Sequence, residues 1–289
     1  FERGMRSIAS IDPFLLASGG LKTPSKFGKN GVDFIVGEAQ HLAISPNFGG
    51  PGLGLFGCRY NKENKSDLRH SPGRYIGKAK DVNGRDCFVM VLSTREQHIR
   101  KEKATSNVCS NQAFLVTHAG ASLLARGNKG LSESIHTAIK FKKKLWSAIK
   151  DLDGIELAFP DAFSLNELVL KIDRSVDELL EHARHAKIHL GIDVSARIDK
   201  SESMSLIKLT FTDANKEEEI DEIVRFLSKQ FSKSEVSRNN DPLPAIPSRL
   251  LREDSPNLPS FSEDELENYY EKLAELNVSP DDGCYPLGS

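Results

Sequence analysis

The run Thr94-Arg95-Glu96-Gln97-His98-Ile99-Arg100-Lys101-Glu102-Lys103-Ala104-Thr105-Ser106-Asn107 gathers side-chain donors directly ahead of an apolar, helix-like stretch. Free backbone N–H groups and the dipole at a helix N-terminus favour an anion, so donors placed there suit a phosphate or carboxylate rim. The same residues would serve equally as a solvated connector laced with Arg–Glu pairs.

Three further constellations carry less weight. Gly52, Gly54 and Gly57 match G-x-G-x-x-G, in which a tight turn and a helix start receive a dinucleotide pyrophosphate. Leu53, Leu55 and Phe56 between them read as strand interior, and no G-K-[ST] follows, so a nicotinamide-dependent oxidoreductase is a distant alternative. His182, His185 and His189 at i, i+3 and i+7 could share a helical face as metal ligands. No Cys or carboxylate is set to complete that shell, so solvated histidines and no metal are expected. A Cys–His nucleophile from Cys109 with His98 or His118 has no supporting spacing.

The elements that must position these groups follow from pattern. Val32 to Val36 and Leu53 to Cys58 read as two core strands flanking a Gly/Pro-rich loop. Tyr75 to Val82 and Asp86 to Leu92 flank Asn83-Gly84, a hairpin turn signal. A helix is expected from Thr105 or Ser106 to Arg126, with Val108, Leu115, Ala119 and Leu123 on one face, stopping at Gly127. Leu131 to Lys150 then reads as amphipathic, with Ile135, Ala138, Leu145 and Ile149 inward and Lys142 to Lys144 in water. Strands at Ile155 to Phe159, Glu167 to Ile172 and Ser205 to Phe211 alternate with helices opened by Ser175/Glu178 and Asn215/Glu218 capping boxes. The expected organisation is a first region over 1–128, a small α/β domain over 129–233, a Pro-rich linker over 234–260 and an amphipathic helix over 261–289. That last helix has a Ser262/Glu265 capping box and the apolar stripe Leu266, Tyr269, Leu273 and Leu276.

At 289 residues with 38% hydrophobic and 28% charged positions, the chain is a folded α/β protein and not a disordered polymer or a rod. Its net charge of −2 argues against bulk nucleic-acid binding, and its longest apolar stretch, Ala113 to Ala125, is too short to span a bilayer. The charge is uneven: residues 1–110 hold 17 basic and 10 acidic groups, whereas Glu253 to Asp282 holds 10 acidic groups and one lysine. Four scattered cysteines without a C-x-x-C pair fit a reducing compartment, hence a cytoplasmic setting, or the mitochondrial matrix in a eukaryote.

Read together, Gly31-Val32-Asp33-Phe34-Ile35-Val36-Gly37-Glu38, Phe48-Gly49-Gly50-Pro51-Gly52-Leu53-Gly54, Pro72-Gly73-Arg74, Asp81 to Gly84, and Thr94 to Asn107 with Asn111-Gln112-Ala113 resemble glycine decarboxylase, the P-protein family of the glycine cleavage system. The resemblance is to the non-catalytic half, called subunit 1 where the halves are separate chains, over roughly residues 1 to 232. Leu250 to Ser289 resembles the start of the catalytic half, so the chain is expected to be a piece of a fused two-half enzyme cut at both ends.

The resemblance implies a type I aminotransferase-like fold, with residues 1–128 as the latter part of its large domain. It also implies pyridoxal phosphate, and an overall reaction in which glycine is decarboxylated and its aminomethyl group passes to the lipoyl arm of a carrier, the H-protein. In the catalytic half a Schiff-base lysine precedes a glycine-rich loop like Gly49 to Gly54; the same interval here reaches Gln40. An amide cannot form an imine, so no catalytic residue is expected in this half, and the cofactor is expected in the other. Arg95, His98, Lys103, Thr105 and Asn107 are then candidates for a rim facing that half, with Gly288 and Ser289 nearest the chemistry. A purely structural pseudo-subunit is the alternative.

Overall fold

A computed structural model of the chain describes residues 5–45, 51–60, 65–71, 75–90, 101–104, 113–198, 204–233, 243–276 and 283. They fall into two compact units, Phe1–Asn128 with Arg252–Ser289, and Lys129–Leu251.

In the first unit strand β1 (Ile8–Ser10) leads into helix α1 (Pro13–Ala17). The Asp12 side chain accepts the Phe14 N–H, and Pro13, whose missing N–H costs nothing at a helix start, occupies the first turn. Strand β2 (Phe34–Glu38) pairs parallel with β1, Ile8 opposite Phe34. Helix α2 (Gln40–Ala43) follows at once, and β3 (Gly54–Cys58) returns antiparallel to β2, with Glu38 opposite Gly54. After a short helix α3 (Lys65–His70), strands β4 (Ile76–Lys80) and β5 (Asp86–Met90) form a separate two-stranded hairpin. Its turn works as the Asn-Gly pair requires: Gly84 sits at φ +76°, and the Asp81 carboxylate accepts from Asn83 and Arg85 backbone N–H groups. Ile76 and Phe88 on its surface are exposed.

Helix α4 runs from Ala113 to Ile149, interrupted at Gly127, whose φ of 57° and ψ of −178° are not helical. The expected stop at Gly127 is met: two helical segments adjoin there, the second resuming without a loop. A Cβ at Gly127 would lie 2.7 Å from the Ser260 Cβ, so both the backbone angles and the space exclude a larger residue. Leu115 and Ala119 of α4 are buried with Ala39, Leu42 and Leu53, and Leu123 packs against that cluster; Val108 lies outside the described residues.

The second unit is a four-stranded antiparallel sheet with helices on one face. Strands β6 (Ile155–Leu157), β7 (Glu167–Ile172), β8 (Ile192–Asp193) and β9 (Ser205–Thr210) lie in the order β6-β7-β9-β8. Alternate residues Leu168, Leu170 and Ile172 of β7 point into a core shared with Leu145 and Ile149 of α4, Leu179 and Ala183 of α5 (Val176–His185), and Ile220 and Leu227 of a later helix. A one-turn helix α6 (Ser195–Ile198) and that later helix, α7 (Glu217–Gln230), complete the unit. Leu243, inside the expected linker, also packs against this core.

Two sequence expectations here need correction. Lys142 is not in water: it is 2% exposed, because it falls on the same helical face as Ala138 and Leu145. Helix α7 opens one residue later than expected, because Asn215 accepts the Thr212 N–H and the reciprocal bond runs from Lys216 N–H to Glu219. Ser175 does accept the Glu178 N–H.

The chain returns to the first unit through helix α8 (Glu263–Ala274), where both halves of the Ser262/Glu265 capping box form. Its half-buried face is Leu266 and Tyr270; of the expected apolar stripe, Tyr269, Leu273 and Leu276 are exposed. Tyr270 turns in because its hydroxyl donates to the Thr117 carbonyl of α4 at 3.2 Å. Among the described residues no helix is long and apolar enough to cross a membrane.

Candidate functional site

The end of β2 and the first turn of α2 are tied together by one carboxylate. Glu38 Oε1 accepts the Leu53 N–H at 2.7 Å and the Gln40 N–H at 2.8 Å, while the Ala39 N–H donates to the Leu53 carbonyl at 2.8 Å. The chain leaving β2 is thus clipped to the chain entering β3. The Leu53 N–H, offset in part by burial and joined by the Gln40 and Ala39 N–H groups, holds the Glu38 carboxyl below the ordinary glutamate value.

Beside this clip stands an ion pair. His41 Nε2 lies 3.1 Å from Asp12 Oδ1, and the Phe14 ring sits 6.1 Å from the imidazole. The hydrogen bond to Asp12, against some desolvation, raises the His41 pKa above its ordinary 6.5. Burial would raise Asp12, but His41 and the Phe14 N–H outweigh it and the carboxyl ends below 3.8. The pair is 29 residues apart in sequence and is assembled by the parallel β1–β2 register, so no local spacing announced it.

Gln40, which the resemblance leads one to expect at the Schiff-base lysine position, is the first residue of α2. Its side-chain Nε2 is buried and has no hydrogen-bond partner among the described residues. An amide cannot form an imine, so Gln40 itself offers no covalent anchor to an aldehyde cofactor; a carboxylate and a histidine–aspartate pair flank it.

Of the expected rim, Lys103 is described; it is exposed and closes a single 3-10 turn, Lys101–Lys103. Among the described residues no hydrogen bond or ion pair joins it to Gln40, Glu38 or His41. Arg95, His98, Thr105, Asn107, Gly288 and Ser289 lie outside the described residues, as does Cys109.

The weaker constellations resolve differently. Gly54 and Gly57 are inside β3, opposite Glu38 and Ile35, so no helix N-terminus sits between them to receive a pyrophosphate. Helix α5 ends at His185, so His189 is off the helix and the three histidines share no face. All three are exposed, His182 Nδ1 lies 3.2 Å from Gln230 Oε1, and no group of three metal-binding side chains occurs among the described residues.

Residues 3–227 match the family described as Glycine cleavage system P-protein. "Probable glycine dehydrogenase (decarboxylating) subunit 1" of Thermoplasma volcanium is 38% identical over 220 residues, which is 76% of this chain and 47% of that protein. The protein of the same description from Pyrococcus furiosus is 34% identical, over 73% of this chain and 45% of its own length. The chain thus spans about half the length of the curated relatives it matches. A crystal structure of glycine decarboxylase (P-protein) of the glycine cleavage system, in inhibitor-bound form, superposes with a TM-score of 0.66 at 27% identity, over 79% of this chain and 49% of that one. With its α/β architecture, its strand–clip–helix at Glu38 and these matches, the chain belongs to the glycine cleavage system P-protein family, in the subunit 1 type.

Proposed function

We propose that this chain is the supporting, non-catalytic half of a glycine decarboxylase, and that its final segment, Leu250 to Ser289, begins the catalytic half. The complete enzyme would release carbon dioxide from glycine and pass the aminomethyl group to the lipoyl arm of H-protein, in the cytoplasm. Gln40 is the observation that carries the reading: the amide at the head of α2 leaves this half without a covalent anchor, while the family match supports the overall reaction. Pyridoxal phosphate, held by the other half, would supply the electron sink for decarboxylation. This half would supply position and field. The Glu38 clip fixes the turn into α2, the Asp12–His41 pair fixes the far side of that helix, and Arg95, His98, Lys103, Thr105 and Asn107 would form an anion-attracting rim toward the partner half, with Gly288 and Ser289 closest to the chemistry.

The test is reconstitution. The chain alone, mixed with pyridoxal phosphate, is expected to give no imine absorbance and no release of labelled carbon dioxide from glycine. Adding the catalytic half should restore both, and Lys103→Ala should then impair turnover more than it lowers the melting temperature. An imine band from the chain alone would overturn the reading; full activity of the catalytic half without this chain would favour a structural pseudo-subunit.

A further inference from the structure

The second unit holds a cavity that decarboxylation leaves unused. It has a volume of about 210 Å3, smaller than the ~300–1,000 Å3 of a drug-sized site, and its walls include Leu157, Phe159, Phe163, Val169 and Leu243. Lys142, itself 2% exposed, closes one side. Its ammonium donates to the Ser164 carbonyl and lies 3.3 Å from Ser164 Oγ, and its Nζ stands 5.7 Å from the centre of the Phe163 ring. Ser164 Oγ is spent in turn on the Glu167 carbonyl, at 2.5 Å.

Every partner of this ammonium is neutral. Glu167, which also lines the cavity, is paired with Lys208 Nζ at 2.7 Å, and Lys143 beside Lys142 in the helix adds like charge. Burial first, and Lys143 second, push the Lys142 pKa down to about 8. A buried cation without a counter-charge is costly to keep, and an ammonium has three N–H groups, of which Ser164 engages two. Apart from Ser164 and the paired Glu167, the cavity beside it is walled by aromatic and aliphatic side chains, so an anion that suits it is one carried on a small apolar body. Inorganic phosphate would leave most of its oxygens facing hydrocarbon.

We propose that this cavity binds a small monocarboxylate with a short apolar body, its carboxylate paired with Lys142 and its body set against Phe159, Phe163 and Leu243. The site lies wholly within residues 142–244 and owes nothing to the head of α2.

Titration calorimetry on the full chain tests it with phenylacetate, its uncharged amide phenylacetamide, and inorganic phosphate. Phenylacetate is expected to bind at least tenfold more tightly than the amide, with phosphate weaker than either. Near pH 8 its binding should take up a fraction of a proton, seen as a heat that depends on the buffer, because the arriving carboxylate restores charge to Lys142; near pH 6 that dependence should vanish. Lys142→Met should remove the preference for the acid, and Leu243→Trp, which fills the cavity away from the lysine, should remove binding of both. Equal affinity for acid and amide, absence of binding to the unaltered chain, or stronger binding of phosphate would each overturn the proposal and leave Lys142 as a staple between α4 and the Ser164 loop.

Discussion

Asp12 carries two functions that a single substitution can separate. It caps α1 through the Phe14 N–H and it is the counter-charge of His41. Asparagine still caps a helix but brings no charge, so Asp12→Asn should leave α1 in place and lower the His41 titration midpoint toward 6.5, as followed by its ring proton resonances. The sign of the stability change follows. A raised His41 value gives stability present below about 6.5 and lost as pH rises through the folded value; a lowered Asp12 value gives stability present above about 3.8 and lost as pH falls. The variant should therefore be penalised most between those two values and approach the parent once the pH exceeds the folded His41 value; a uniform loss at every pH would assign Asp12 to capping alone. Gln40 invites a second substitution. Gln40→Lys places an amine at the head of α2 but leaves Glu38 and the Asp12–His41 pair around it, so the chain alone should still release no labelled carbon dioxide from glycine. The role assigned to Gln40 rests on resemblance to a family, whereas the His41 pairing was not legible at all, since it depends on a contact across 29 residues.

At the scale of elements, the local signals with a stereochemical cause were the ones that could be read. Asn83-Gly84 made its turn because glycine accepts positive φ, and Ser262 with Glu265 capped α8 because the two side chains satisfy each other's backbone donors. What misled was a rule of thumb about type. Lys142, Lys143 and Lys144 looked alike, yet position 142 sits on the apolar face of α4 and the helical period could have placed it; Lys144 does reach out, to Glu217 and Asp221. Gly127 was read as an end and is one, because its left-handed φ breaks the helical run; only the immediate restart of helix beyond it was not legible. A prediction belongs here. Gly127→Ala meets a non-helical backbone and the Ser260 side chain, so it should cost about 1–3 kcal/mol in denaturant unfolding. A gain in stability, as for an ordinary exposed helical glycine, would show that α4 straightens without penalty.

For the molecule as a whole, the two units differ in how much they bury among the described residues. The second unit packs Trp146, Phe211, Phe226 and Phe231 into one cluster with the faces of a sheet and three helices, whereas the described cluster of the first unit centres on Ala39, Leu42, Leu53, Leu115 and Ala119. Apolar burial is the main driving force for stability, so amide exchange in the chain alone should be slowest in β7, β9 and α7 and much faster in β1, β2 and α8. Supplying the catalytic half should slow exchange in α8, where Tyr269, Leu273 and Leu276 stand exposed. Unchanged exchange in α8 would mean that this face has no partner there.

The hairpin of β4 and β5 sets a practical condition on handling this protein. Among the described residues no further strand lies beside either outer edge of the pair, and Ile76 and Phe88 lie exposed there. Such edges recruit other strands, and as concentration rises a purified chain should grow from small associating species into aggregates that bind thioflavin. Lys78 and Lys80 blunt this tendency, but both are paired with Asp86, so their repulsion between molecules is weakened. Co-expression with the other half, or an added lysine at Phe88, should raise the soluble yield, measured as the monomer fraction by light scattering across a concentration series.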